Sequence, residues 1–178
     1  GRKNVKITDV EIFVVDGGRR PWLFSAVRTD AGITGYGEFG SGVASHALVG
    51  LIEDFKPHVI GKDPEAVEKL YFDLYRLMRQ APGGLVNMGI AAIELACWDI
   101  KGKAMGVPVN NLLGGPYRDK QRVYWSHLAS ARAGDPTLAP DKPLKDWGAV
   151  AAAAQEVPAA GYTAFKTNIL WPGETPRA

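Results

Sequence analysis

The first forty residues alternate between apolar and polar side chains in three short runs. Residues 5–15 are rich in β-branched side chains, which is typical of a strand. Residues 22–29 and 33–39 continue the pattern after breaks at 16–21 and 30–32. A glycine in the second break can take the left-handed backbone of a tight turn. Connections this short predict a three-stranded antiparallel meander.

The apolar positions then recur at helical spacing. A first helix is predicted over residues 44–55, and Pro57 is expected to end it. The Asp-Pro pair at 63–64 is a typical N-cap and first helical position, so a second helix is expected from Pro64 to about residue 79. A third helix, from about 86 to 105, is apolar nearly all round and is expected to be buried.

After Gly115 the order becomes strand, loop, helix and strand. The strands are predicted at 122–128 and 164–170, with a long loop over 130–145 and an alanine-rich helix over 147–159. This order predicts a βαβ unit with parallel strands.

The pattern therefore predicts two domains: an α+β domain over 1–115, and the opening of an α/β array over 116–178. A parallel array needs cover on both faces and partners at its edges, and a complete (β/α) barrel takes on the order of 250 residues. We therefore expect the parent protein to be longer than this chain.

Composition narrows the function classes. The 178 residues are 46% apolar and 22% charged with a net charge of +2, and no stretch is strongly basic, so a nucleic-acid partner is not expected. Cys97, the one cysteine, lies in an apolar helical run and is expected to be a buried hydrophobe. No apolar run approaches the roughly 20 residues of a membrane span, and no signal peptide is visible, so a cytoplasmic location is expected.

Three ordered motifs carry a resemblance to a known family. Thr-Asp-Ala-Gly-Ile-Thr-Gly-Tyr-Gly-Glu at 29–38 resembles a hairpin of the mandelate racemase and muconate lactonizing branch of the enolase superfamily. The helix motif at 91–103 and the segment at 107–115 resemble that family's long capping-domain helix and its entry into the barrel. The resemblance implies an α+β capping domain, a three-stranded antiparallel meander plus helices, followed by the start of a (β/α)7β TIM-like barrel.

The resemblance also implies a chemistry. Family members abstract a proton next to a carboxylate, and Mg²⁺ holds the carboxylate and stabilises the enediolate. The family's metal ligands are acidic residues at the ends of the third, fourth and fifth barrel strands. This chain is expected to end after the second strand, so no metal ligand is assigned within it.

The second barrel strand separates two branches of that chemistry. Many family members carry Lys-x-Lys there, and the second lysine is the base. Here Lys166 matches the first position and Asn168 replaces the second. An amide does not accept a proton at neutral pH, so a racemase using the lysine pair is disfavoured. Lys-x-Asn is more similar to galactonate dehydratase and related acid-sugar dehydratases, in which Lys166 and Asn168 would contact substrate oxygens.

Further candidates come from segments that face the barrel mouth in this family. The first capping loop, 16–22, and the second, 39–46, shape specificity there, and His127 lies at the carboxyl end of the first barrel strand. Guanidinium groups suit bidentate contacts with carboxylate oxygens. Solvated loop charges remain the alternative for the arginines, and a structural role remains the alternative for His127. The substrate-binding candidates are Arg19, Arg20, Trp22, His46 and His127.

The leading hypothesis is a Mg²⁺-dependent acid-sugar dehydratase acting on a small-molecule sugar acid, with the fragment alone expected to be inactive. A racemase or cycloisomerase of the same superfamily is the first alternative. A non-catalytic capping or interaction fragment is the alternative from another class. The resemblance alone would imply a homo-oligomer.

Overall fold

The chain is divided into two units, Gly1–Pro116 and Tyr117–Ala178. What larger architecture the second unit opens stays a prediction. The structure, a computed structural model, describes residues 4–17, 20–41, 45–80, 83–128, 144 and 146–167.

The sheet of the first unit has three antiparallel strands in the order β1-β2-β3. These are β1 (Ile7–Asp16), β2 (Pro21–Thr29) and β3 (Thr34–Ser41). The meander is confirmed, and each strand end lies within two residues of its predicted position. Gly32 has a φ of 75° in the turn between β2 and β3, which is the left-handed backbone predicted there.

The helices described in this unit are α1 (Ser45–Val59), α2 (Val67–Leu77), α3 (Gly84–Met105) and α4 (Val109–Leu112). α3 contributes the most buried positions to the core, as its all-round apolar sequence predicts, and it ends at Gly106 in the left-handed conformation. The core side chains of α3 include Ile90, Ala92, Ile93, Ala96, Cys97 and Ile100.

α1 continues through Pro57, so the prediction that this proline ends the helix was wrong. Proline removes one helical N–H, yet the turn continues beyond it, because the N–H of Ile60 donates to the carbonyl of Lys56 at 3.1 Å. Pro57 itself is exposed, whereas Val59 is fully buried in the core. Burial of Val59 holds the last turn in place.

α2 begins three residues later than predicted. The carboxylate of Asp63 accepts the N–H of Glu65 at 2.8 Å, so it closes a local turn and does not cap the helix. The helix starts at Val67, and Ala66 occupies the N-cap position. The Asp-Pro signal marked a change of chain direction there rather than the first helical turn.

β3 and α3 approach so closely that only glycine fits between them. A Cβ added at Gly35 would overlap the carbonyl oxygen of Ala96 and the side chain of Ile100. At Gly37 the added atom would lie 3.0 Å from the carbonyl oxygen of Ala92. The two glycines of the hairpin motif therefore set the distance between the sheet and its central helix.

The second unit contains α5 (Trp147–Ala154) and α6 (Glu156–Ala159). They replace the single helix predicted over 147–159, and Gln155 separates them. Pro158 lacks the N–H that would bond to the carbonyl of Ala154, which explains the break. Asp146 caps α5, since its carboxylate accepts the N–H of Ala149 at 2.8 Å.

The parallel pairing predicted for the second unit is present as one bridge, between Trp125 and Phe165. Full strands over 122–128 and 164–170 are not what the described residues show. The regular register of the pairing ends after this bridge, because His127 has a φ of 56°, which turns the chain away from the strand direction. Residues 168–170 and nearly all of the loop predicted over 130–145 lie outside the described residues.

Candidate functional site

The carboxyl ends of the two parallel segments lie side by side. The N–H of Trp125 donates to the carbonyl of Ala164 at 3.0 Å, and the N–H of Lys166 donates to the carbonyl of Trp125 at 2.8 Å. One residue pair further on, the N–H of Leu128 donates to the carbonyl of Lys166 at 3.1 Å. This edge, which we call the strand-end site, carries Tyr124, Ser126, His127 and Lys166.

Lys166 lies on the exposed face of its segment. Its Nζ is 5.5 Å from the ring centroid of Tyr124, within the range of a cation–π contact. The next residue, Thr167, has a buried Oγ1, as expected when successive residues of an extended chain face opposite sides. Lys166 therefore presents a positive charge to solvent at the strand-end site. Its predicted partner Asn168 lies outside the described residues.

His127 is exposed at the same edge. Its Nδ1 lies 2.7 Å from the hydroxyl oxygen of Ser126, so one ring nitrogen is engaged by the neighbouring residue. Sequence reasoning singled out His127 from its position but missed Ser126 and Tyr124. Tyr124 is found only when the two parallel segments are brought together, whereas Ser126 was visible as the adjacent hydroxyl.

The first capping loop extends from the end of β1 to the start of β2. Arg20 is exposed in this loop, and Trp22, in β2, pairs with Val15 and with Ser41. Arg19 lies outside the described residues. Phe13 and Val14 are 43% and 56% exposed although neighbouring strand residues face opposite sides, so the described part of the chain covers neither face of the sheet near this tip.

The end of β3 lies beside the start of β2 at one end of the sheet. The pairing of Trp22 with Ser41 places the end of β3 beside the first loop. His46 is exposed in the first turn of α1, just after residues 42–44, which lie outside the described part of the chain. Trp22 and His46 belong to the first unit, whereas Lys166 and His127 belong to the second.

Among the described residues of the capping unit, the acidic side chains do not form a metal site. Glu38, Glu94 and Asp99 line a groove of about 720 Å³ together with apolar side chains such as Leu95 and Trp98. Glu94 accepts the indole N–H of Trp98 at 3.1 Å, and Asp99 accepts the Lys103 ammonium at 2.6 Å. Across all the described ranges, no group of three or more His, Cys, Asp or Glu side chains could hold a metal ion. The described residues therefore do not fit Mg²⁺.

In the ranges the structure describes, no helix is both long and apolar enough to cross a bilayer.

Comparison with known families gives one domain match. Residues 5–114 match the N-terminal domain of the family described as mandelate racemase / muconate lactonizing enzyme. The match covers β1 through α4. It includes the first two motifs noted in the sequence and all of the third except its last residue, Gly115.

Similar proteins extend that match into the second unit. A D-galactonate dehydratase of Xanthomonas campestris pv. campestris (strain B100) is 36% identical over 148 residues, which are 83% of this chain. The chain spans only 35% of the length of that relative. A solved enolase-superfamily member from Salmonella Typhimurium matches 96% of this chain and 46% of its own, with 32% identity and a TM-score of 0.83.

A second solved structure has the same TM-score. It is a protein of Burkholderia xenovorans strain LB400, provisionally named L-alanine-DL-glutamate epimerase and bound to magnesium and fumarate. It is 36% identical to this chain, and the match covers 92% of this chain and 41% of that one. Proteins similar to this chain thus carry the names of two different reactions.

Proposed function

This chain belongs to the mandelate racemase / muconate lactonizing enzyme family, and we propose that its full-length parent is an acid-sugar dehydratase. The reaction would abstract the proton next to the substrate carboxylate and eliminate water from the neighbouring carbon. The observation that carries the proposal is the sequence Lys-Thr-Asn at 166–168, which begins directly after Phe165, the bridge residue of the second parallel segment. Similarity to D-galactonate dehydratases supports it.

Lys166 and Asn168 are proposed to bind substrate oxygens. Lys166 is exposed, and its ammonium stays beside the ring of Tyr124, so a positive charge is held where a carboxylate or hydroxyl can approach. An asparagine amide can donate to such oxygens but does not remove a proton at neutral pH. In this proposal the acid and base groups are supplied by other strands of the parent.

The capping loops are proposed to complete the specificity pocket. Arg19 and Arg20 can bind carboxylate oxygens with two parallel hydrogen bonds, and Trp22 and His46 can contact the sugar chain. Closure of such loops would exclude water from the reacting carbon.

Mg²⁺ is proposed as the cofactor of the parent protein. Support comes from the similar Burkholderia structure that binds magnesium and fumarate. When bound, the ion would stabilise the negative charge that develops on the substrate carboxylate. No step of the reaction is assigned to a metal ligand of this chain.

An epimerase or racemase is the second candidate, because one similar solved structure carries an epimerase name. The presence of Asn168 where a lysine base would stand argues against the lysine-pair version. A cytoplasmic location, a homo-oligomer and an inactive isolated fragment stay predictions, as does the division into domains at residues 115 and 116.

The test is a screen of the full-length parent with Mg²⁺ against aldonates and aldarates in D₂O. A dehydratase forms 2-keto acids, whereas an epimerase incorporates deuterium at the α-carbon without loss of water. Lys166→Met should lower kcat/KM by about tenfold or more, as for loss of one charged hydrogen bond, and Lys120→Met is the matched control on an exposed lysine. No keto acid from any sugar acid would refute the proposal.

A further inference from the structure

The backbone at His127 adopts a conformation that histidine rarely takes. Among the described residues, His127 is the only non-glycine residue with a positive φ, at 56°. The left-handed region is disfavoured for residues with a Cβ, whereas glycine enters it freely. Strained backbone of this kind concentrates at functional sites, where the side chain is needed in one particular place.

The ring of His127 is fixed by its neighbour. The hydroxyl of Ser126 lies 2.7 Å from Nδ1, and a hydroxyl that donates to this atom leaves the proton on Nε2. When the hydroxyl donates in this way, the ring offers an Nε2–H donor on its far side. Since His127 is exposed, this donor is open to a ligand.

The turn that carries His127 lies at the same edge as the proposed substrate contact Lys166. The N–H of Leu128 donates to the carbonyl of Lys166, which fastens the His127 turn to the end of the second segment. Binding sites of parallel α/β folds lie at the carboxyl ends of the strands. His127 and Lys166 therefore share the edge at which a ligand would bind.

We propose that His127 is a specificity-determining residue that donates a hydrogen bond from Nε2 to a hydroxyl or carboxylate oxygen of the acid sugar. Ser126 is a positioning residue that sets the tautomer and direction of the ring. This inference rests on the proposed function, and it extends that function by assigning one substrate contact and the residue that orients it. The strained backbone persists because glycine would relieve the strain but remove the donor.

The experiment compares variants of the full-length parent on each sugar acid that the wild type converts. His127→Gly should lower kcat/KM by about tenfold, mainly through KM, because one substrate hydrogen bond is lost. Its Tm should rise, because glycine takes the left-handed conformation without strain. Added imidazole should restore part of the lost kcat/KM. A merely structural histidine would give neither the KM effect nor the rescue.

Two further variants keep the test decisive if His127→Gly folds poorly. His127→Asn tolerates the same backbone and retains a donor, so it should lose less kcat/KM than His127→Gly. Ser126→Ala should shift the ring toward the other tautomer, which ¹⁵N spectra of the His127 ring report directly. His58→Asn, at an exposed histidine of α1, is the matched control and should leave kcat/KM unchanged.

Titration with D-galactonate separates this inference from the proposed function. If the parent converts no sugar acid but D-galactonate shifts the His127 ring signals, the proposed reaction fails and the binding site stands. If the parent is a dehydratase but His127→Gly and His127→Asn both keep the wild-type kcat/KM on every substrate, the assignment of His127 is overturned. Ring signals that stay unchanged when D-galactonate binds would also overturn it.

Discussion

The carboxylate of Asp99, on α3, accepts the backbone N–H of Tyr36, on β3, at 2.9 Å. The same Oδ2 accepts the ammonium of Lys103 at 2.6 Å, and this ammonium also donates to the carbonyl of Thr34 at 2.7 Å. Among the described residues β3 pairs with β2 alone, so the backbone groups of its other edge lie outside the strand ladder. Asp99 and Lys103 of α3 thus bind part of that edge. The hairpin motif at 29–38 and the helix motif at 91–103 are therefore in direct contact.

Loss of the Asp99 carboxylate should weaken the attachment of β3 to α3. Asp99→Ala removes the acceptor of the Tyr36 N–H, which is exposed enough for water to replace part of the bond, so we expect a loss of about 1 kcal/mol in unfolding free energy. Asp99→Asn keeps an acceptor oxygen and should lose less. Urea denaturation of the three proteins provides the measurement.

Asp73 supplies a matched control for that comparison. It accepts the Lys69 ammonium four residues away on α2, as Asp99 accepts that of Lys103 on α3. Asp73→Ala breaks an exposed helical ion pair without touching the sheet, so its effect should be smaller. Equal losses for Asp73→Ala and Asp99→Ala would contradict the role assigned to the sheet edge.

Gly35→Ala should be among the most destabilising small substitutions in the capping unit. The new methyl group would meet the carbonyl oxygen of Ala96, which is backbone of a buried helix and cannot rotate away. β3 and α3 would have to separate, and overpacking of this kind costs about 1–3 kcal/mol or more. Thermal and urea unfolding both report the change.

Gly50→Ala is the control for glycine replacement. Gly50 lies within α1, where an added Cβ meets no atom within 4 Å, so alanine should stabilise the helix by about 0.5–1 kcal/mol. Opposite signs for the two substitutions are expected. A neutral Gly35→Ala variant would show that β3 and α3 tolerate a wider spacing.

The ion pair between Asp9 on β1 and Lys56 on α1 should make stability depend on acidity. The hydrogen bond from Lys56, at 2.6 Å, lowers the pKa of Asp9 below its ordinary value near 3.8. A carboxyl group with a lowered pKa stabilises the fold above that ordinary value, and this contribution disappears as the pH falls through the lower folded pKa. The difference in unfolding free energy between wild type and Asp9→Asn should therefore narrow below about pH 4.

The control for Asp9 removes one negative charge nearby without breaking that pair. Asp54→Asn changes an exposed carboxyl on α1 and should leave the pH dependence close to that of the wild type. Unfolding curves collected from pH 2 to pH 7 would separate the two variants. Parallel curves for wild type and Asp9→Asn over that range would refute the assignment.

The thiol of Cys97 should be unreactive in the folded protein. Burial is the main cause that raises its pKa to about 12, so at neutral pH almost no thiolate is present and reagents cannot reach the sulfur. Ellman's reagent should label the residue only after denaturation. Stoichiometric labelling under native conditions would show that α3 opens far more readily than its packing indicates.

The spacing of apolar positions and the turn-forming residues between them were enough to predict the three strands and the buried helix α3, because these elements have strong local sequence signals. The helix ends predicted from Pro57 and Asp63 were misplaced. At Pro57 the burial of Val59 outweighed the tendency of proline to end a helix, and at Asp63 the side chain closes a local turn and does not cap the helix. The contact of Tyr124 with Lys166 and the backbone of His127 depend on which distant segments meet. Such pairings leave no pattern in a single sequence.

The β1–β2 hairpin is anchored in the core at one end and exposed at its tip. Pairing continues to Asp16 and Pro21, but Phe13 and Val14 are exposed, so no layer among the described residues covers the last residue pairs of the ladder. Burial therefore declines along β1, from Ile7 and Val10 in the core to exposed residues at the end of the strand. Amide hydrogen exchange should become faster from the buried part of β1 toward its exposed end. The residues at that exposed end can change in sequence without altering the packing of the core.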